Sequence, residues 1–320
     1  MNPSYRIEFQ PHLVEEAVLR AVAGHPDASL FWGERDRLYE CADNDHREPA
    51  FQNFNQSWFN RLGLGKPLQQ VFAFWPILMD STSRCVLIKA RSKKNIGAEL
   101  YIVPDESGLN ERELRTIAIQ VTPELLSHSQ QLLNFLRHEL LHIVDMLDPD
   151  FGYEPNFPNA DAGPAHDSFL QVRYGVLWDI IIDGRLFQRG WLPQSARERH
   201  FDIFKRTFAG PEEKVETAFG YFFDDNSHTH RELVEFARHP HEWLAGSTVS
   251  DSSKGRCALC HFPTFHLINP SELEARLVAK IQAHHPVWNP SQSICRQCMD
   301  LYEAREQHNP LTDPHQAGAE

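Results

Sequence analysis

The chain has 320 residues, of which 41% are hydrophobic and 11% aromatic, enough to build one large domain with an appendage or two domains. Its net charge of −13 argues against a broad nonspecific grip on nucleic acid, which needs a basic surface. No apolar run approaches the ~20 residues of a membrane span. The first residues, Met1 to Arg6, lack the basic-then-apolar layout of a secretory signal. The expectation is therefore a cytoplasmic protein without membrane association.

Residues 1–70 read as a mainly helical region that packs on the main core. Leu13, Val14, Ala17 and Val18 form an amphipathic face, and the segment 51–64 is rich in aromatics. Period-two or β-rich runs follow over 70–75, 84–90, 99–103 and 115–121, separated by turn-forming stretches. They predict a small antiparallel or mixed sheet. Between them, Arg91, Lys93 and Lys94 read as a solvated turn.

The strongest helical pattern comes next. Leu132, Leu136, Leu140, Ile143 and Leu147 make an apolar stripe; Phe135, His138, His142 and Asp145 make a second stripe on a different side, and Pro149 ends the run. After a loop rich in Pro, Asn, Asp and Gly, a second helix is predicted over 165–188, with Gly190 past its end. Shorter helices are expected over 214–223 and 231–238. A Ser/Gly/Asp linker over 247–255 marks the domain boundary. The segmentation is a helical region 1–70, a main domain 71–246, a cysteine module 247–308 and a disordered tail 309–320.

Chemistry enters at His138-Glu139-Leu140-Leu141-His142, an HExxH pattern. Imidazoles four residues apart share one helix face and can reach one divalent metal through bonds of roughly 2.0–2.1 Å. Glu139, rotated by about 100° from His138, can take a proton from a metal-activated water. The competing explanation is a pair of satisfied core histidines in a chain with 18 of them.

Catalytic zinc needs three protein ligands and an open position, so a third ligand must follow. His166 leads. Asp179 or Asp183, carboxylates amid Ile and Trp, are the alternatives, which otherwise pair with Arg173 or Arg185. Asp148 stands where an extended HExxHxxGxxH pattern would place its last ligand, but Asp145 occupies the glycine position of that pattern. Asp145 is read as an acceptor that orients one of the histidines. Tyr153, Arg173 and His200 are the candidates for stabilising an oxyanion.

The stretch 115–169 resembles the SprT-like (Spartan-type) zinc metallopeptidases. It contains the strand at 116–121, then Pro123-Glu124-Leu125-Leu126, the HELLH motif, and His166-Asp167-Ser168-Phe169. The resemblance implies a zincin-like α+β fold, with His138, His142 and His166 as ligands and Glu139 as base. Asp167 departs from the usual Gly after the third His, and 1–70 and 190–250 have no counterpart. Trp178-Asp179-Ile180-Ile181-Ile182-Asp183 is more weakly similar to a W-N-x-x-x-D helix of a group of bacterial metallopeptidases, which keeps Asp183 in contention.

Cys257/Cys260 and Cys295/Cys298 are two CxxC pairs, the spacing of a closed four-cysteine zinc site in a zinc ribbon or treble clef. Many members of the resembled family end in a zinc ribbon. Cys41 and Cys85 are left over, and His261 and His266 read as surface residues. The whole sequence thus predicts a zinc-dependent peptidase with one catalytic and one structural Zn2+ and a protein or peptide substrate. The alternatives are a catalytically inactive metal-stabilised adaptor and an iron-dependent hydroxylase-type enzyme.

Overall fold

The computed structural model describes residues 5–40, 44–103, 110–155, 164–208, 210–244, 255–260, 263–264 and 267–307. The fold is α+β and divides into two compact units, Met1–Tyr153 and Glu154–Glu320. That division falls inside the stretch read from sequence as one domain, 71–246. The linker expected over 247–255 and the tail from 309 lie almost wholly outside the described residues.

The first unit holds a four-stranded sheet in the order β1-β2-β4-β3, formed by β1 (Arg6–Phe9), β2 (Arg84–Lys89), β3 (Gly97–Ile102) and β4 (Arg115–Val121). β1, β2 and β4 are parallel and β3 runs antiparallel to β4, so the sheet is mixed. The register places Cys85 beside Ile117 and Leu87 beside Ile119. These four side chains are fully buried, so alternation delivers one face of the sheet to the core.

Helices α1 (Pro11–Val22), α2 (Ala28–Tyr39), α3 (Asn44–Arg61), α4 (Lys66–Phe74) and α5 (Ile77–Asp80) precede β2. The β-rich segment 70–75 is therefore helical, contrary to expectation. Pro67 opens α4 where its missing N–H costs nothing, and Leu68, Val71 and Phe72 are buried at helical spacing. The basic turn is a short 3₁₀ segment, Lys93–Asn95, exposed between β2 and β3 as expected.

α6 (Glu111–Leu114) starts with an Asn110–Glu113 capping box, and α7 (Pro123–Ser127) with Thr122 accepting the Leu125 amide. α8 (Ser129–Leu147) then buries Leu132, Leu136, Leu140 and Ile143 completely. α4, α5 and β3 lie against it.

The second unit begins with α9 (Pro164–Gln188), the helix expected from the sequence. A Schellman cap ends it: Trp191 N–H donates to Leu186 O, Gly190 N–H donates to Phe187 O, and Gly190 adopts φ +69°. α10 (Gln194–Thr207), α11 (Glu212–Asp224) and α12 (His230–Arg238) pack on α9, and α13 (Pro240–Leu244) closes the group. Their core is aromatic, with Phe204, Phe219, Phe222, Phe223 and Phe236 fully buried.

Beyond residue 254 two short antiparallel pairs, β5 (Gly255–Arg256) with β6 (Pro263–Thr264) and β7 (Leu267–Ile268) with β8 (Ile294–Cys295), frame the cysteine module. α14 (Ala275–His284) connects β7 to β8, and α15 (Arg296–Gln307) follows. Among the described residues, no helix is long and apolar enough to cross a membrane.

Candidate metal centres

The HExxH residues lie in the last half of α8, where the leucine stripe fixes the helix against the core. His138 and His142 remain partly exposed on another side. Their rings are 5.0 Å apart between centroids and inclined by 72°. A nitrogen of each lies within 4.8 Å of the other's, a spacing that one ion can span after a small ring rotation.

Glu139 points to a different partner. Its Oε2 accepts a 3.1 Å hydrogen bond from the Ala98 backbone N–H on β3. β3 is the antiparallel edge of the sheet, with Tyr101 and Ile102 exposed. The carboxylate expected to act as base is thus anchored to the edge strand of the sheet.

Asp145, one turn beyond His142, is 2% exposed, and a carboxylate so buried needs partners. Asp148 is the C-cap of α8, and its Oδ1 accepts the Asp150 amide at 2.9 Å. It shapes the turn after the helix, which removes the reason for considering it as a ligand. Tyr153 is half-buried, and burial raises its hydroxyl pKa, keeping the proton available for donation at neutral pH.

In the second unit the backbone of His166 lies in the first turn of α9, and its side chain is outside the described residues. Asp183 is buried and meets His200 Nε2 at 2.6 Å, a partner the sequence did not suggest for it. The buried imidazole of His200 sits on the Asp183 carboxylate, so His200 belongs to this buried pair rather than standing as an oxyanion donor. Asp179, one helical turn before Asp183, is exposed.

The four module cysteines do converge. Cys257 and Cys260 form a tight turn after β5, Cys295 ends β8, and Cys298 lies in the first turn of α15. All four are buried, and their sulfurs lie within 4.8 Å of one another. Cys257 and Cys298 are 3.5 Å apart, Cys260 and Cys295 3.8 Å. Zinc–sulfur bonds of ~2.3 Å put tetrahedral sulfurs ~3.8 Å apart, so the set fits a metal tetrathiolate.

Backbone amides of Leu259 and Cys295 donate to Cys257 Sγ at 3.4 and 3.2 Å. Hydrogen bonds from the Cys260, Cys295 and Cys298 thiols push the Cys257 pKa down, while the bond with Cys257 drives Cys298 strongly up. Four thiols packed this closely cannot all ionise without a cation among them. The chain can therefore hold a metal ion here.

Arg173 supplies what the sequence did not reveal. It is 7% exposed on α9 and donates from Nη1 to Ala237 O at 3.4 Å. Burial lowers its pKa, and attraction to all four cysteine sulfurs opposes that effect. This guanidinium is a buried counter-charge to the sulfur cluster rather than an oxyanion donor. Phe169, one turn earlier, belongs to the apolar core formed with Leu259, Leu277, Ile281, Trp288 and Tyr302. Neither contact has a local sequence signature, because Arg173 and the cysteines are more than eighty residues apart. His261 and His266 lie outside the described residues.

Comparison of the chain with family models, curated proteins and solved structures finds no match.

Proposed function

We propose that the protein is a zinc-dependent peptidase. His138 and His142 would hold the catalytic ion together with one further side chain. Asp183 is engaged with His200, and Asp179 is a sequence candidate for that third position. His166, the choice implied by the family resemblance, is its competitor. When bound, zinc supplies Lewis acidity, lowering the pKa of its water toward ~7 and polarising the scissile carbonyl.

Glu139 takes the proton of the attacking water and delivers it to the leaving amine. Its hydrogen bond from Ala98 N–H fixes its orientation. A peptide adds to the outer edge of β3 through main-chain hydrogen bonds, which brings its backbone beside Glu139. Tyr153 is the remaining donor for the developing oxyanion. The four-cysteine site takes a second, structural zinc. Its four thiolates close the coordination sphere, and the turn, strand end and helix start that carry them are consistent with a treble-clef module.

The observation that carries the proposal is the combination on α8 of two converging imidazoles with a carboxylate tethered to an edge strand. If α9 supplies a carboxylate, the same donors would also suit iron, so metal identity must be measured. The purified full-length chain is expected to contain two zinc ions, one of which is lost in His142→Ala. Glu139→Gln is expected to keep both and to abolish casein cleavage. Loss of one zinc in Asp179→Ala but not in His166→Ala identifies the third ligand. Cleavage retained by Glu139→Gln, or iron in place of zinc, refutes the proposal.

A further inference from the structure

The geometry points to a third metal site, formed by His239, His241 and Glu242 and suited to a divalent transition-metal ion of the zinc class. One nitrogen of each imidazole and one oxygen of the carboxylate lie within 4.8 Å of one another. The donors sit at the corner between α12 and α13, ahead of the cysteine module in the chain.

The corner is held by its own backbone. α12 starts with a Thr229–Glu232 capping box, and the His239 amide closes it by donating to Glu235 O at 2.9 Å. The Glu242 amide donates to His239 O at 3.0 Å, which begins α13 and turns the chain so that the three donors approach. Pro240 and Leu244 of α13 are buried. Trp243 packs its ring on Tyr221, Phe222 and Phe236 at 5.3, 6.1 and 5.5 Å between centroids. The backbone carrying the donors is thus fixed by apolar contacts that the metal does not have to supply, and little ordering is left for binding to impose.

The donor types select the ion. Two imidazoles with a carboxylate favour zinc, nickel or copper over magnesium and calcium, which prefer oxygen alone. The rings of His239 and His241 are 6.0 Å apart and inclined by 78°. Glu235 Oε1, one turn back on α12, lies 4.0 Å from His239 Nε2 and can serve as a fourth donor. Glu242 is exposed, and the site is open to water, so an ion here exchanges with solvent, unlike one enclosed by four cysteines.

The test starts from the full-length chain with its tightly held metals in place, dialysed to equilibrium against micromolar Zn2+. The expected result is one zinc more than the protein retains in metal-free buffer. The extra ion should be lost in His239→Ala/His241→Ala and unaffected by excess Mg2+. Glu242→Gln, an exposed change that leaves the helices intact, is expected to weaken its binding about tenfold. Because Trp243 adjoins the site, Cu2+ should quench tryptophan emission in the wild type and much less in the double variant. No additional zinc in the wild type, or the same additional zinc and quenching in the variants, overturns the assignment.

Discussion

Gly184 makes a close approach to the backbone of a neighbouring helix, and replacing it with alanine tests how α9 is held. A Cβ at this position would stand 2.2 Å from the Phe223 carbonyl oxygen on α11 and 3.0 Å from its carbon. Carbon–oxygen contacts ordinarily begin at ~3.3 Å, so the helices would have to separate by about 1 Å. The obstacle is backbone and cannot rotate aside. Separation would loosen Phe187 against Phe223, now 5.5 Å apart, and the bond from Gln188 Nε2 to Asp224 O at 2.7 Å. Overpacking of this kind costs about 3 kcal/mol, while alanine in place of glycine returns about 1 kcal/mol of helix propensity. The net loss is about 2 kcal/mol, equivalent to a fall in Tm of roughly 4–8 °C for a unit of this size. Gly175, on the same helix, has nothing within 4 Å of its would-be Cβ, so Gly175→Ala is the control and should stabilise slightly. Thermal and urea unfolding of the metal-loaded protein measure both. If Gly184→Ala melts at or above the wild type, the close helix approach is wrong.

Other perturbations probe the metal centres and the buried histidines. Arg173→Met removes the counter-charge of the cysteine site and should weaken metal retention there about 10–100-fold in competition with a chromophoric chelator; unchanged retention would refute the charge-balancing role. Stripping that metal should break up the core containing Trp288, now 4% exposed, and shift its fluorescence to the red; an unshifted spectrum would mean the module folds without metal. Burial holds His228 and His230 below the ordinary imidazole range. The unfolded chain, titrating near ~6.5, then binds more protons than the folded one over the interval between the two values. Stability is therefore flat above ~6.5 and declines as pH falls below it. His228→Gln/His230→Gln should flatten that decline between about pH 7 and 5.5, as read by thermal melts. An unchanged slope would place the acid sensitivity elsewhere.

Local pattern determined much of this protein. The leucine stripe of α8 required only neighbours within one helix, and its periodicity could be read directly. The same holds for the imidazoles one turn apart and for the paired cysteines, since metal spacing is written into the backbone geometry of a helix or a tight turn. β2 and β4 also declared themselves through alternation, because one face of each is fully buried. Segments whose conformation depends on distant partners did not. β1 is four residues long, and pairing with β2 is what makes it a strand. The β-rich composition of 70–75 misled, because the buried Leu68–Val71–Phe72 face and the proline at its start outweigh β propensity. α10, polar over most of its length, gave no clear signal although Phe204 anchors it.

Tertiary structure alone decided what surrounds the chemistry. The Ala98 amide on Glu139, His200 on Asp183 and Arg173 beside the four sulfurs each join residues far apart in the chain. Whether a carboxylate or guanidinium is buried, and which partner satisfies it, is settled by desolvation after the elements pack. A sequence names the charged group, but the energy that assigns its partner arises only when water has been removed from around both.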